Sequence, residues 1–347
     1  MSEMTFDSEG ALLLERHARW WRCEGGLLAR VSDGPLGPLW LPLADGSLAS
    51  RDLAVTPDVL DIDRMAGPML KPGLLGLNGD QFCCEMPYSR VPWVEAILGA
   101  QVWATIQGGS MRTRPVVTQW DDWARRLAQW DETWLAQLLR LTELMVARSG
   151  GRYAVTQTLM RGPCDLAEAL LGPELMCFSM VDHPSELRGF VEDATSVFIH
   201  ALCEQLARIP RIQGGMVNPF GIWAPGTVVR TQCDATAFLS ARHYAEWYLP
   251  HDVRICEAAD FSIIHLHSCS LHVVDVLLGV ERPHAIQVTL ETGPNVPTLA
   301  ELAPVFRRIL ETKPLIVDGP LSDAEVAVLQ KALPADGLCI LARQTAW

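Results

Sequence analysis

The segment SIIHLHSCSLH, residues 262–272, carries the residue types best suited to binding a metal ion. On a β-strand, side chains two residues apart face the same way, so His265, His267 and Cys269 leave on one side if the strand continues that far. Imidazole and thiolate groups at this spacing can hold one zinc ion, with a further ligand from elsewhere in the fold. The alternative is a pair of histidines hydrogen-bonded inside the fold without a metal.

Two acidic residues directly follow apolar runs of the kind that form buried strands. Asp234 follows Val228–Cys233, and Glu291 follows the run that ends at Leu290. Asp234 could act as a general acid or base, or orient a substrate amine or a ligand histidine, whereas Glu291 could supply a metal with an oxygen ligand. A turn cap for Asp234 and a solvated loop position for Glu291 are the alternatives. The predicted catalytic residues are Asp234 and His265, and the candidate metal ligands are His265, His267, Glu291 and Cys269.

Polar and aromatic side chains near other predicted strand ends could contact a substrate. Arg112 follows ATIQGGSM, and paired hydrogen bonds from its guanidinium could hold a carboxylate or a phosphate. Asn78 and Asn218 each follow an apolar run, and Trp223 is an aromatic side chain of either the core or the site. The predicted substrate-binding residues are therefore Asn78, Asn218, Trp223 and Arg112.

A repeating order of strands and helices that begins at about residue 73 must position these residues. Short apolar runs alternate with longer segments of helical periodicity, without a G-x-G-x-x-G turn. This order predicts the α/β class and a single (β/α)8 TIM-type barrel at 73–347, with 1–72 as an N-terminal extension packed on it. In such a barrel the chemistry lies at the carboxyl ends of the strands. The predicted strands are Leu74–Leu77, Val102–Gln107, Tyr153–Gln157, Gly214–Asn218, Val228–Cys233, Ser262–His267, Ala285–Leu290, Leu315–Val317 and Leu338–Leu341.

Composition and charge exclude several classes of protein. The 347 residues are 49% apolar and 20% charged, which is typical of a globular protein with a large core. With 28 basic and 41 acidic residues the net charge is −13, which argues against nucleic acids and anionic membrane surfaces as partners. The sequence contains no run of about 18 apolar residues that could span a membrane. The first ten residues do not resemble a secretory signal, so we expect a cytoplasmic protein.

Five segments carry a resemblance to a known family: VPWVEAILGAQV (91–102), RGPCDLAEALLG (161–172), WAPGTVVRTQCDATAFLSARHYAEWYLP (223–250), FSIIHLHSCSLHVVDVLL (261–278) and AIQVTLETG (285–293). In order and spacing the sequence resembles the uroporphyrinogen decarboxylase superfamily, which implies a (β/α)8 barrel. True uroporphyrinogen decarboxylases carry an Arg-Gln-Ala-Gly-Arg segment that binds the carboxylates of the porphyrinogen. That segment does not occur in this sequence, so decarboxylation of a porphyrinogen is not expected.

The resemblance is closer to the branch of corrinoid- and thiol-dependent methyltransferases, in which a strand ending in His-x-Cys and a later Cys hold zinc. His265 falls at the position of the family's His, whereas His267 replaces its Cys. The family's last Cys would fall near Gln344, where this sequence has none. The resemblance therefore implies an altered ligand set, with Glu291 or Cys269 joining the two histidines, or loss of the metal.

The predicted function is zinc-assisted methyl transfer between a small-molecule donor and a corrinoid or thiol, with any corrinoid carried by a partner protein. Two alternatives stay open at this point. A metal-free decarboxylase or lyase would act on a small acid, with Asp234 and a histidine as the proton-transfer pair. A non-catalytic barrel would bind a ligand without turnover, and fold analogy alone does not choose among the three. Assembly as a homodimer is also left open.

Overall fold

The computed structural model describes residues 8–33, 39–67, 77–120, 123 and 130–344, which adopt a mixed α/β fold. The strands are named here in chain order. They are β1 (Leu28–Asp33), β2 (Leu53–Val55), β3 (Leu77–Asn78), β4 (Gln81–Phe82), β5 (Cys84–Glu85), β6 (Val102–Thr105), β7 (Ser110–Thr113), β8 (Ala154–Val155), β9 (Met216–Val217), β10 (Trp223–Ala224), β11 (Val228–Gln232), β12 (Phe261–His267), β13 (Ala285–Thr289), β14 (Leu315–Gly319) and β15 (Leu338–Gln344).

Six of these strands form a parallel sheet, the central sheet of the fold. Its order is β1-β15-β14-β13-β12-β11, so the first and last strands of the described chain lie side by side. The strands β12, β13 and β14 are rich in Ile, Val and Leu and are buried along nearly their whole length. This is typical of parallel strands that are covered on both faces. The predicted α/β class is confirmed, and so are the predicted strands that correspond to β11 to β15.

The register of the central sheet places polar side chains from three strands in one row. Gln232 of β11 pairs with His265 of β12, and His265 pairs in turn with Gln287 of β13. Two residues further along, His267 pairs with Thr289. Because the strands are parallel, their carboxyl ends lie at the same edge of the sheet, and these side chains gather there.

The remaining strands form small sheets, and here two predicted strands are wrong as members of a parallel sheet. The predicted strand Val102–Gln107 corresponds to β6, which pairs antiparallel with both β2 and β7. The predicted strand Gly214–Asn218 corresponds to β9, which forms an antiparallel hairpin with β10. A short apolar run does not reveal its partner strand. Turn residues that reverse the chain follow both runs, at Gly108-Gly109 and at 219–221, and they are the local signal of a hairpin.

Strand β1 lies within residues 1–72, the region predicted as an N-terminal extension. It pairs in parallel with β15 over its whole length, from Leu28 opposite Cys339 to Asp33 opposite Gln344. Its sequence, LARVSD, has too few consecutive apolar residues to be recognised as a buried strand from sequence. The extension therefore contributes a strand to the central sheet, whereas the division of the chain at residue 72 stays a prediction.

Short segments connect the two edges of the central sheet. Next to β1, the backbone N–H of Asp80 donates to the carbonyl of Ala29 at 3.0 Å, and the chain continues from Asp80 into β4 and β5. Strand β5 pairs in parallel with β8. Two residues after β8, the side chain of Gln157 accepts from the backbone N–H of Arg230 at 2.7 Å and donates to its carbonyl at 2.8 Å. Hydrogen bonds thus lead from β1 round to β11.

The helices occupy the segments between the strands. Ser322 and Glu325 begin the last of them with a capping box, in which each side chain binds the backbone N–H of the other residue. No helix in the described ranges is both long and apolar enough to cross a membrane. The α-helices are Ser8–Trp20, Ile62–Met65, Trp93–Ile97, Glu132–Ser149, Pro163–Leu171, Pro173–Asp182, Pro184–Leu206, Ala241–Trp247, Leu249–Glu257, Val274–Leu278, Leu299–Leu310 and Asp323–Ala332, and the 3-10 turns are Pro57–Val59, Asp234–Phe238 and Ser268–Val273.

The helix Pro163–Leu171 approaches β11 closely enough to bring its first turn to the edge of the central sheet. The backbone N–H of Gly162 donates to the carbonyl of Gln232 at 3.0 Å. A Cβ atom at residue 162 would lie 2.3 Å from that oxygen, so only glycine allows this approach. Asp165 lies in the first turn, where a negative charge favours the start of a helix.

Candidate metal centre

A cavity of about 540 Å³ lies at the carboxyl ends of β11 and β12. Its volume is typical of a site for a small molecule. Polar side chains from the two strands, from the 3-10 turn after β11 and from the helix Pro163–Leu171 line it together. Together with Arg161, which precedes that helix, they are Asp165, Glu168, Arg230, Gln232, Asp234, His265 and His267.

Asp234 lies between two histidines in this cavity. Its Oδ1 atom is 3.4 Å from Nε2 of His265, and its Oδ2 atom is 3.6 Å from Nε2 of His267. One ligand atom from each of the three residues lies within 4.8 Å of the others. The alternation of β12 brings both histidines to one side of the strand, and the turn that follows β11 brings the carboxylate to them.

In each histidine ring the other nitrogen, Nδ1, contacts an acceptor. The acceptor of His265 lies on β13, and the acceptor of His267 follows β13 in the chain. Nδ1 of His265 contacts Oε1 of Gln287, and Nε2 of Gln287 donates to Oγ1 of Thr289 at 3.0 Å. The amide oxygen is therefore the atom that Gln287 presents to His265. Nδ1 of His267 contacts a carboxylate oxygen of Glu291. In a neutral ring, an acceptor at Nδ1 favours the proton on that nitrogen and leaves the lone pair on Nε2, the atom directed at Asp234.

The two histidines differ in their electrostatic surroundings. Burial, together with the charge of Arg230, lowers the pKa of His265, although Asp234 opposes this effect. A hydrogen bond with Asp234 raises the pKa of His267 against the effect of its partial burial. Burial would raise the pKa of Asp234, but the two histidines outweigh it and hold that pKa below its usual range. Asp234 is therefore ionised at neutral pH, and His265 is the ring that favours the neutral form.

Gln232 links Asp234 to a second acid and to an arginine. Its Nε2 atom donates to Asp234 at 2.8 Å and to Asp165 at 3.0 Å, and its Oε1 atom accepts from Nη1 of Arg230 at 2.5 Å. Asp165 also accepts from the backbone N–H of Ala235 at 2.8 Å. Burial and the nearby charge of Asp234 raise the pKa of Asp165 to about 7. Asp165 can therefore gain or lose a proton near neutral pH.

The structure brings Asp234, His265 and His267 together, and it places the other two predicted ligands differently. Strand β12 ends at His267, and Cys269 is exposed in the turn Ser268–Val273, so the alternation that would align it with the histidines does not reach it. Glu291 contacts the ring nitrogen of His267 that is remote from Asp234. That is the usual position of a carboxylate that orients a ligand histidine, not of a ligand.

Two predicted substrate-binding residues hold the hairpin β9–β10 and do not line the cavity. The side-chain oxygen of Asn218 accepts from the backbone N–H groups of Phe220 and Ile222, at 2.8 and 3.3 Å. Nε1 of Trp223 donates to the carbonyl of Ile212 at 2.7 Å. Both side chains therefore stabilise a turn or a core, which is the commoner use of such residues.

Of the other two predicted substrate-binding residues, Arg112 is not brought to the cavity either. Arg112 is an exposed residue of β7, in the small antiparallel sheet. Asn78 ends β3, and its side chain lies outside the described residues.

Sequence reasoning missed Arg230, Gln232 and Asp165. The sequence did contain a signal for Arg230 and Gln232. They and Asp234 follow one another at intervals of two residues, and side chains at that spacing share one side of a strand. Asp165 had none of its own, since its proximity to Gln232 depends on how the helix Pro163–Leu171 packs.

The arrangement of Asp234, His265 and His267 fits a tetrahedral metal ion. With metal–ligand bonds of about 2.1 Å, such an ion holds its ligand atoms about 3.4 Å apart. The separation between Oδ1 of Asp234 and Nε2 of His265, 3.4 Å, equals that value, and the other oxygen, Oδ2, lies 3.6 Å from Nε2 of His267. Oδ1 of Asp234 is buried and makes no aligned hydrogen bond with any described residue, which is typical of an oxygen that faces a cation.

Comparison with known proteins shows a similarity of fold to a solved structure. No protein-family model matches the sequence, and no curated protein matches it either. Among solved structures, the fold is similar to that of a methyltransferase from Methanosarcina mazei, with a TM-score of 0.55 over 96% of this chain and 93% of that one. The two sequences are 11% identical, so the similarity is one of fold. The chain therefore has a methyltransferase-like α/β fold.

Proposed function

We propose that the chain is a zinc-dependent enzyme that transfers a methyl group between a small-molecule donor and a corrinoid or thiol, with zinc bound by Asp234, His265 and His267. One observation carries the proposal. Gln287 occupies Nδ1 of His265, so the Nε2 lone pair faces an ionised carboxylate oxygen at 3.4 Å. Two acceptors so close repel each other unless a cation lies between them. Because burial lowers the pKa of His265, a metal ion suits this position better than a proton.

The residues around the proposed zinc site have distinct tasks in this proposal. Gln287 and Glu291 engage the Nδ1 atoms and keep the Nε2 atoms directed at the metal. Gln232 donates to Asp234 and restricts its rotation. When bound, zinc would lower the pKa of a thiol substrate and stabilise its thiolate. Asp165, whose pKa is about 7, is the group suited to accepting a proton near neutral pH.

We also propose that the central sheet and the segments between its two edges form a closed (β/α)8 barrel of the uroporphyrinogen decarboxylase type. The hydrogen bonds from β1 to Asp80, from β5 to β8, and from Gln157 to β11 support closure, because they join the two edges of the central sheet. If residues 81–85 are counted as one strand, the ring has eight strands, the number of a TIM-type barrel. The proposed zinc ligands then lie at the end of the barrel where such enzymes carry their active sites. Membership of the superfamily stays a prediction from the sequence resemblance.

A metal-free decarboxylase or lyase acting on a small acid is the second candidate. The observation that favours it is Asp165, a fully buried acid in the cavity with a pKa of about 7. Gln232 connects Asp165 to Asp234 and hence to the histidines, so a proton could be held on either side of a bound substrate.

Metal content and methyl transfer, measured on one preparation, test the first candidate. We expect wild-type protein to retain about one zinc ion per chain after dialysis, and His265→Ala and His267→Ala to lose most of it with unchanged circular dichroism. His272→Ala is the matched control, because His272 follows in the same segment but binds the carbonyl of Leu239 at 2.9 Å. Methyl transfer from methylcobalamin to 3-mercaptopropionate should fall with the zinc content.

Three results would contradict the proposal in different ways. Full zinc occupancy in folded His267→Ala would refute the ligand assignment. A wild-type protein that binds no zinc would refute the metal-dependent mechanism and favour the metal-free candidate, whose activity chelators should not affect. Tight binding of a small ligand without turnover would favour a ligand-binding barrel.

A further inference from the structure

Arg230 is a buried cation in the cavity that is left without an anionic partner among the described residues. The residue is 5% exposed, and it lines the cavity together with Gln232 and Asp234. The guanidinium donates one hydrogen bond, to the amide oxygen of Gln232. No described carboxylate forms an ion pair with it. An arginine has five N–H donors, so most of its capacity for hydrogen bonds is unused by the described side chains.

The position of Gln232 explains why Arg230 does not pair with the acids of the cavity. The amide of Gln232 presents its oxygen to Arg230 and its nitrogen to Asp165 and Asp234. It therefore lies between the guanidinium and both carboxylates and separates the opposite charges. A glutamate at this position would neutralise Arg230, whereas a glutamine leaves its charge available.

The second arginine of the cavity, Arg161, already has a carboxylate partner. Nε of Arg161 lies 3.1 Å from a carboxylate oxygen of Glu95, which is 1% exposed. Burial lowers the pKa of Arg230 to about 10, so Arg230 is still protonated at neutral pH. The charges of Asp234, Asp165 and Asp318 oppose this shift, but none of these carboxylates forms an ion pair with Arg230. A buried charge without a paired counter-ion is unfavourable, and an anionic ligand in direct contact would reduce that penalty. Arg230, unlike Arg161, therefore has free donors and a charge that no described carboxylate pairs in direct contact, so it is the better placed of the two to receive an anion.

We infer that Arg230 binds a carboxylate group of a small organic substrate, in the cavity that also contains Asp234, His265 and His267. The assignment deepens the proposed function by naming a substrate class, and it rests on that function only for the reaction that follows binding. A planar guanidinium can hold a carboxylate through two parallel hydrogen bonds. The rest of the substrate would contact Leu159 and Phe238, the apolar side chains of the same cavity.

A monoanion fits the cavity better than a phosphate dianion. Asp165, Glu168 and Asp234 line the same space, and each repels a ligand in proportion to its negative charge. Arg230 supplies one positive charge, which a carboxylate matches and a phosphate dianion exceeds. The sequence had suggested Arg112 as the residue that holds a carboxylate or phosphate. Arg112 is instead exposed on β7, outside this cavity.

Binding of hexanoate and of the neutral hexanamide, measured by calorimetry on chelator-treated full-length protein, tests the inference without a contribution from a bound metal. We expect wild-type protein to bind the acid about 10- to 100-fold more tightly than the amide, the range for hydrogen bonds to a charged group. Arg230→Met should abolish this preference. Arg230→Lys keeps the charge but not the planar pair of donors, so it should retain part of it. Arg112→Gln is the matched control and should bind like the wild type.

The possible outcomes separate this inference from the proposed function. Equal binding of acid and amide, undetectable binding of hexanoate, or an acid preference that survives in Arg230→Met would overturn it. Phosphate that binds as tightly as hexanoate would overturn the assignment to a carboxylate. If Arg230→Met does not fold by circular dichroism, Arg230→Lys and the three ligands on wild-type protein still decide. Zinc content, measured separately on untreated protein, tests the metal site alone, so either proposal can fail while the other stands.

Discussion

Replacement of Asp252 by Asn should remove a loss of stability that the wild-type protein undergoes as the pH rises. Asp252 lies in the helix Leu249–Glu257 and is fully buried. It accepts a hydrogen bond from the hydroxyl of Tyr244 at 2.8 Å and a longer one from Thr231 at 3.4 Å. No described cation forms an ion pair with it. Burial therefore raises its pKa from 3.8 to about 8, although the bond from Tyr244 opposes the shift.

The sign and size of the effect follow from proton binding. Between about pH 4 and pH 8 the folded protein keeps the proton on Asp252, whereas the unfolded chain releases it. The free energy of unfolding therefore falls as pH rises through this window. One pKa unit is equivalent to about 1.4 kcal/mol, so the rise of about 4 units gives a loss of up to about 6 kcal/mol. A side-chain amide cannot ionise, so the variant Asp252→Asn should lack this loss.

Urea unfolding of the wild type and of Asp252→Asn across this pH range measures the difference. At about pH 4 the two proteins should have similar stability, and the variant should become the more stable one by several kcal/mol at about pH 8. Asp260→Asn is the control. Asp260 is exposed, and hydrogen bonds from Thr227 lower its pKa, so its contribution is lost only in acid. A stability difference for Asp252→Asn that does not change with pH would refute the buried, protonated state of Asp252.

Two further substitutions test the packing and the caps. Gly162→Ala places a Cβ atom 2.3 Å from the carbonyl of Gln232, so it should destabilise the protein by about 1–3 kcal/mol in urea unfolding and lower its zinc content. Gly189→Ala is its control, because Gly189 is an exposed position of the helix Pro184–Leu206 and the added Cβ would meet no atom within 4 Å. A loss of stability there as large as at residue 162 would contradict the explanation. Ser322→Ala removes the capping box of the last helix and should cost about 1 kcal/mol in the same assay, whereas unchanged stability would mean that the cap contributes nothing.

Part of the candidate site could be predicted because it depends on local rules. His265 and His267 share one side of β12, since strand alternation is set by the backbone itself. Asp234 and Glu291 could be placed near them because each directly follows a run that forms a strand of the parallel sheet. The same rules failed for Cys269, because alternation ends where the strand ends, and the sequence does not mark that residue clearly.

The sequence by itself determined the strands β11 to β15 and the two histidines on one side of β12, which follow from periodicity and from residues close in the chain. Only the tertiary structure decided what these histidines do. Gln287 reaches His265 through the register of β12 with β13, and Asp165 reaches Gln232 through a helix that glycine allows to approach. It also decided that β1 joins β15, and that Arg230 lines the cavity whereas Arg112 does not. The reason is that strand register and helix docking are set by packing between segments far apart in the chain, and no local pattern of residues encodes them.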